Sequence, residues 1–266
     1  MELSLLDSVK RAELAQARSL AHHLVQPLAA ISTVFVSAEP DDGHTTLRWH
    51  ESNGLVTKPT SEKVSFGIDL ATMEAMMIED SVLREPIAGW TLARLWDWYQ
   101  EKIDEVFGED TEELVPRDYG ESLPAHPVAD GEQIPGPTDS TRALSVLFEY
   151  AFELLGAITD GSEGWSSIRN WPHHFDVATI LNLDPDSERS VNVGMSPGDG
   201  FIDAPYLYVT PWPAPDVSAA PDLPGAGRWN SDGFTAAVIE VLGAERPTLE
   251  EFLSFAVSAA KQLLAR

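Results

Sequence analysis

The chain has 266 residues, with 43 acidic against 17 basic side chains, a formal charge of -26, 43% hydrophobic content and 8 tryptophans. That length and apolar content supply a globular core, in one large domain or two small ones, and exclude a disordered chain. The absence of cysteine excludes disulfides, thiolate metal sites and cysteine nucleophiles and favours an intracellular setting, while the negative charge repels phosphate backbones and anionic lipid.

The same charge suits either a solubility adaptation or capture of a cationic partner. The N-terminal stretch carries charges throughout and lacks the apolar core of a signal peptide. No run reaches the length of a membrane span. The expected setting is the cytoplasm, with neither nucleic acid nor membrane as partner.

In chain order, Leu14, Ala17, Ala21 and Leu24 recur at helical spacing and predict a helix over Asp7–Val25, stopped at Pro27. Ile31–Val36 is β-branched and apolar and reads as a short buried strand. Pro40–Gly43 is a turn. Thr45–His50 is a strand with Leu47 and Trp49 on one face. Ser52–Gly54 turns into a strand from Leu55 to Lys58. Val64, Phe66, Ile68 and Leu70 alternate as a half-buried strand does. Thr91 caps a helix to Phe107 whose stripe is Leu92, Leu95, Trp96, Tyr99, Ile103 and Phe107.

A polar excursion over 108–138, rich in Glu, Asp, Pro and Gly, follows. Asp139 or Ser140 then opens a helix through Leu155. Strands return at Phe175–Leu183, Ser190–Met195 and Tyr206–Thr210, with turns at Asp184–Asp186 and Ser196–Gly200 between them. Ser231 or Asp232 caps a helix to Leu242, and Thr248 caps a last one to Leu264 with Glu251 as its capping-box partner. These elements predict an α+β fold, mainly antiparallel sheet with flanking helices, in one domain over 1–266. Its halves, 1–107 and 139–266, echo each other as β-β-α units, each with a Gly-Trp or Gly-x-Trp element (Gly89-Trp90; Gly227-Arg228-Trp229).

The chemistry concentrates between Trp165 and Pro213. On a strand, residues two apart share a face, so His174 and Asp176 point together and His173 lies on the side of Phe175. A histidine beside a carboxylate is a metal half-site, an oriented imidazole base, or a hydrogen-bonded pair that satisfies two polar groups. Two residues do not specify a metal. Ser196 and Asp199 flank a Pro-Gly turn and either rim the site or serve the turn. Ser196 lacks the G-x-S-x-G setting of a serine nucleophile. Tyr206, Tyr208, Trp212 and Trp229 suit the wall of a ligand pocket or ordinary packing. Asp203 and Asn230 are rim candidates. No phosphate-binding glycine loop, HExxH, EF-hand loop or dinucleotide fingerprint is present.

The run W-P-H-H-F-D-x-A-T (Trp171–Thr179), with G-x-S-P-G-D (Gly194–Asp199) and P-Y-x-Y-V-x-P-W-P (Pro205–Pro213), resembles a family of uncharacterised bacterial and plant proteins built on a domain of unknown function. Gly227–Phe234 resembles that family's next block, where histidine is commoner than Asn230. The resemblance covers about the last hundred residues and implies that they form a unit; it carries no activity. The expectation is a small-molecule or metal-ion pocket on the C-terminal sheet. His174 would be its base or metal ligand, Asp176 the orienter of His174, and hydrolysis or proton transfer its chemistry. The alternative is a non-catalytic acidic interaction protein in which the motif is structural. Ligand, metal, cofactor and oligomeric state stay open.

Overall fold

In the computed structural model, which describes residues 4–51, 54–108, 111–118, 123–186 and 188–265, the first apolar stretch is helical throughout. Three helices follow one another: α1 (Ser4–Ser8), α2 (Arg11–Leu24) and α3 (Gln26–Phe35). α2 ends just before Pro27 as predicted, but a new helix starts there at once. Pro27 sits in the first turn of α3, where its missing N–H needs no intrahelical partner. The predicted strand Ile31–Val36 is therefore the end of α3. A short apolar run is equally a strand or a buried helix by periodicity, and here burial on the helix decided.

The chain forms two compact units. The N-terminal unit comprises Glu2–Glu149 and Arg169–Phe175, and the C-terminal unit comprises Tyr150–Ile168 and Asp176–Arg266. The boundary falls at Glu149 and Tyr150, inside helix α5 (Asp139–Thr159), rather than in the polar excursion. That excursion is tied down within the N-terminal unit. The backbone of Ile134 exchanges hydrogen bonds with Gly89 and Trp90 (2.8 and 2.7 Å), and Leu114, Val128 and Ile134 are buried.

In the N-terminal unit an antiparallel sheet runs in the order β6-β1-β2-β3-β4-β5. Its strands are β1 (Leu47–His50), β2 (Gly54–Thr57), β3 (Ser65–Asp69), β4 (Glu74–Ile78), β5 (Val82–Pro86) and β6 (Arg169–Trp171). Ser52 and Asn53 of the predicted turn lie outside the described residues. β3 is buried on both faces rather than half-buried. The hairpin β4–β5 has no counterpart in the sequence expectation, because Glu, Ala and Met are weak strand formers. Helix α4 (Leu92–Phe107) starts as predicted, with Thr91 Oγ1 accepting from the Arg94 N–H (3.2 Å). Trp98, outside the predicted stripe, is buried with Leu95, Tyr99 and Ile103. Tyr99 ties α4 to β3 by donating to the Gly67 carbonyl (2.6 Å).

In the C-terminal unit antiparallel strands run in the order β7-β8-β9-β11-β10. Its strands are β7 (Asp176–Asn182), β8 (Ser190–Ser196), β9 (Tyr206–Trp212), β10 (Arg228–Asn230) and β11 (Ala236–Glu240). The predicted helix from Ser231 to Leu242 is thus a strand. Ala236–Glu240 pairs with both β9 and β10, and these cross-strand pairs outweigh the helix propensity of its alanines. Helix α6 (Arg246–Leu264) begins at Glu245 rather than Thr248, with Pro247 in its first turn. Each unit thus carries antiparallel strands followed by a helix, α4 after β5 and α6 after β11. Gly89-Trp90 directly precedes α4, whereas Gly227–Trp229 leads into and forms part of β10, with β11 between it and α6. The fold is α+β. No helix among the described residues is long and apolar enough to cross a membrane.

Candidate functional site

Register decides which side chains of the C-terminal sheet meet. Opposite residues of an antiparallel pair share a face. Gly194 faces Ala178 and Tyr208, Asn192 faces Ile180 and Thr210, Ser190 faces Asn182 and Trp212, and Ser196 faces Tyr206. One face of β7–β9 is therefore polar and aromatic. The other carries Val177, Leu181, Val191, Val193, Met195, Leu207 and Val209, nearly all fully buried. Helix α6 flanks that apolar face: its Leu253 and Val257 border a hollow with Leu181, and its Thr248 borders another with Ile239.

The upper part of the polar face is built on two tyrosine–aspartate pairs. Tyr208 Oη donates to Asp176 Oδ2 and Tyr206 Oη to Asp199 Oδ2, both in short hydrogen bonds. The other Asp199 oxygen accepts from the Phe201 and Ile202 N–H groups (2.8 and 2.9 Å). Ser196 Oγ accepts from the Gly198 N–H (3.1 Å). Glycine is required at 194: a Cβ there would lie 2.3 Å from Tyr208 Oη and 2.4 Å from Cζ, so only a bare backbone lets the phenol cross β8 toward Asp176. Burial, reinforced by the Asp176 carboxylate, holds the Tyr208 hydroxyl well above its ordinary range. Burial and then Asp199 do the same for Tyr206. Both phenols are fixed donors at neutral pH, not bases.

The lower part of the same face is open. Asn182, Ser190, Asn192 and Thr210 span three strands, and among the described residues none of their side chains hydrogen-bonds to protein. Asn192 Oδ1 is fully buried with no donor. Of the four only Ser190 is buried; Asn192 and Thr210 are half-buried and Asn182 is exposed, so the row presents its hydrogen-bonding groups outward instead of spending them inside the fold. Beside it stands Trp212, whose side chain is 57% exposed although it is the largest apolar residue type. The sequence reading missed the four polar residues. Alternation with Val191, Val193 and Val209 was the signal that could have found them.

The predicted residues divide accordingly. Asp176, Ser196, Asp199, Tyr206 and Tyr208 come together, and Trp212 lies further down the same face. Trp229 does not join them: it pairs with Ala237, which pairs with Val209, so it belongs to the opposite face, where its Nε1 donates to the Pro221 carbonyl (2.9 Å). Asn230 is occupied at its edge, its amide donating to the Asp232 and Phe234 carbonyls (2.9 and 2.6 Å). Asp203 is exposed on the loop before β9.

His173 and His174 are not on a strand. They occupy a tight turn from Trp171 to Phe175, closed by the Phe175 N–H on the Trp171 carbonyl (2.6 Å) and by a left-handed Phe175 (φ 58°). The shared-face argument for His174 and Asp176 therefore fails locally: β7 starts at Asp176, His174 is exposed and Asp176 is buried. All 7 histidines fall in the N-terminal unit, and the tyrosine–aspartate network falls in the other. The turn is pinned from α2 and α3. His22 Nε2 and Gln26 Nε2 both donate to the Pro172 carbonyl (2.8 and 3.1 Å), and the His22 ring stacks on Phe175 at 5.1 Å. Burial lowers His22 to about 4. Burial, with His174 and Arg117 nearby, lowers His173 to about 4. Both imidazoles are neutral at pH 7.

Among the described residues no group of three or more His, Asp or Glu side chains could hold a metal ion. The two hollows of about 450 and 510 Å³ beside α6 are not lined by the tyrosine–aspartate network. No family model, no curated protein and no solved structure matches the chain.

Proposed function

We propose that the C-terminal unit binds a small organic molecule on the polar face of its sheet. Tyr208–Asp176 and Tyr206–Asp199 form the rigid frame, and Asn182, Ser190, Asn192, Thr210 and Trp212 are the contact surface. One observation carries this reading: four neighbouring polar side chains on one face make no internal hydrogen bond, beside an exposed tryptophan. Water serves such groups when nothing is bound, and the exposed indole beside them is what marks this face as a contact surface. The frame, in contrast, is engaged with itself, which supports a supporting role for Ser196 and Asp199 rather than direct contact.

Binding is favoured over hydrolysis. The C-terminal unit contains no histidine, its two framing phenols are held protonated, and Ser196 Oγ is engaged by the Gly198 N–H. Part of the alternative, in which the motif is structural, survives in the upper tyrosine–aspartate pairs. The resemblance to the uncharacterised bacterial and plant family belongs to the proposal and rests on its motifs alone. So does the cytoplasmic setting, which rests on the cysteine-free composition.

The test is a thermal-shift screen of the intact protein against neutral saccharides, amines and carboxylates at millimolar concentration. The reading expects one class to raise the melting temperature of wild type and not of Asn192→Leu. If none does, the reading is wrong.

A further inference from the structure

The open row has a chemical character of its own. Its members are two amides and two hydroxyls, each able to donate and accept. None is charged; Asp176 and Asp199 are engaged by tyrosines, and Glu240, also on this face, lies opposite Tyr206 at the other end from the row. A cation would meet no counter-charge in the row and an anion no basic group, so the row is matched to a neutral ligand rich in hydroxyls. Trp212 adds an apolar plate at one end, on the strand that bears Thr210 and directly opposite Ser190. An indole face packs against the C–H face of a sugar ring as it does against other flat apolar surfaces.

The dimensions agree. Three strands span two intervals of about 4.8 Å, and Asn192 to Ser190 is one two-residue step of about 7 Å along β8. That rectangle is the size of one or two pyranose rings. At its centre the half-buried Asn192 has its Oδ1 shut away from the surface, which leaves its Nδ2 amide as the donor a ligand meets.

Resting on the binding reading above, we infer that the ligand is a neutral saccharide, one ring stacked on Trp212 and its vicinal hydroxyls held by Asn192, Thr210 and Ser190. The frame explains how an open face achieves selectivity: Tyr208, pulled across Gly194 by Asp176, closes the upper end of the row and sets its length.

Isothermal titration calorimetry of the full chain tests this with glucose, maltose and cellobiose as probes, and arginine and citrate as charged controls. The expected result is millimolar or tighter binding of at least one saccharide, weakened at least tenfold in both Trp212→Ala and Asn192→Leu. Phe255→Ala, an exposed aromatic on α6, leaves that binding unchanged. Trp212 is exposed, so its variant keeps the wild-type melting temperature, and loss of binding is not loss of fold. Saccharide binding that survives both variants overturns the inference. Binding of arginine or citrate alone, lost in Asn192→Leu, overturns the saccharide class while leaving the binding face intact. Failure of every probe overturns both.

Discussion

Replacing Gly194 by alanine adds one methyl group to the middle of β8, a change that strand propensity alone would tolerate. The structure says otherwise. The new Cβ would sit 2.3 Å from Tyr208 Oη, 2.4 Å from Cζ and 2.8 Å from Cε1, all well inside ordinary contact. The ring must swing away about χ1, and the hydrogen bond to Asp176 goes with it. Overpacking costs about 1–3 kcal/mol, and a hydrogen bond to a charged group is worth about 1.5–3 kcal/mol. Removing glycine's unfolded-state entropy returns about 0.4–1 kcal/mol. The net expectation is a loss of about 2–4 kcal/mol, read as the urea midpoint of the C-terminal unit. The double variant with Tyr208→Val should lose at least about 1 kcal/mol less than the sum of the singles, because the two changes relieve the same clash. A Gly194→Ala protein within about 0.5 kcal/mol of wild type, or additive singles, would refute the argument that this glycine exists to let the phenol pass.

Acid should weaken the N-terminal unit through His22 and His173. Each has a folded pKa of about 4 below an unfolded value of about 6.5, so the unfolded chain binds more protons between those limits. Stability is full above about pH 6.5, falls as pH drops, and stops falling from this source below about 4. The loss from His22 reaches about 3 kcal/mol at most, and urea midpoints at pH 7 and 4.5 for wild type and His22→Gln should show the variant with the shallower dependence. His174→Ala, at an exposed turn position, should stay within about 0.5 kcal/mol of wild type by thermal melting; a loss above 2 kcal/mol would mean a structural role not visible in the geometry. Thr91→Ala removes the cap of α4 and should cost about 1 kcal/mol, measured by chemical denaturation.

Local rules made much of this protein legible. The Thr91 cap and the amphipathic stripe after it predicted α4, because cap chemistry and a 3.6-residue period act within one helix. Turn signals on either side located β8 and β9 to within two residues. Where an element's fate hung on distant partners, the same rules misled. Ile31–Val36 became helix, Ala236–Glu240 became a strand between β9 and β10, and the Glu74–Pro86 hairpin went unrecognised. Short apolar runs carry no period long enough to choose between the two states.

The site shows the same division. Composition and motif density sufficed to point at Trp165–Pro213, and the tyrosines and aspartates chosen there do converge. That His174 and Asp176 part company at a left-handed Phe175, that Trp229 turns to the other face, and that Asn182, Ser190, Asn192 and Thr210 line up beside Trp212 were decided by tertiary structure alone. Side-chain neighbours across strands depend on register, and register is settled by pairing between segments that no local window contains.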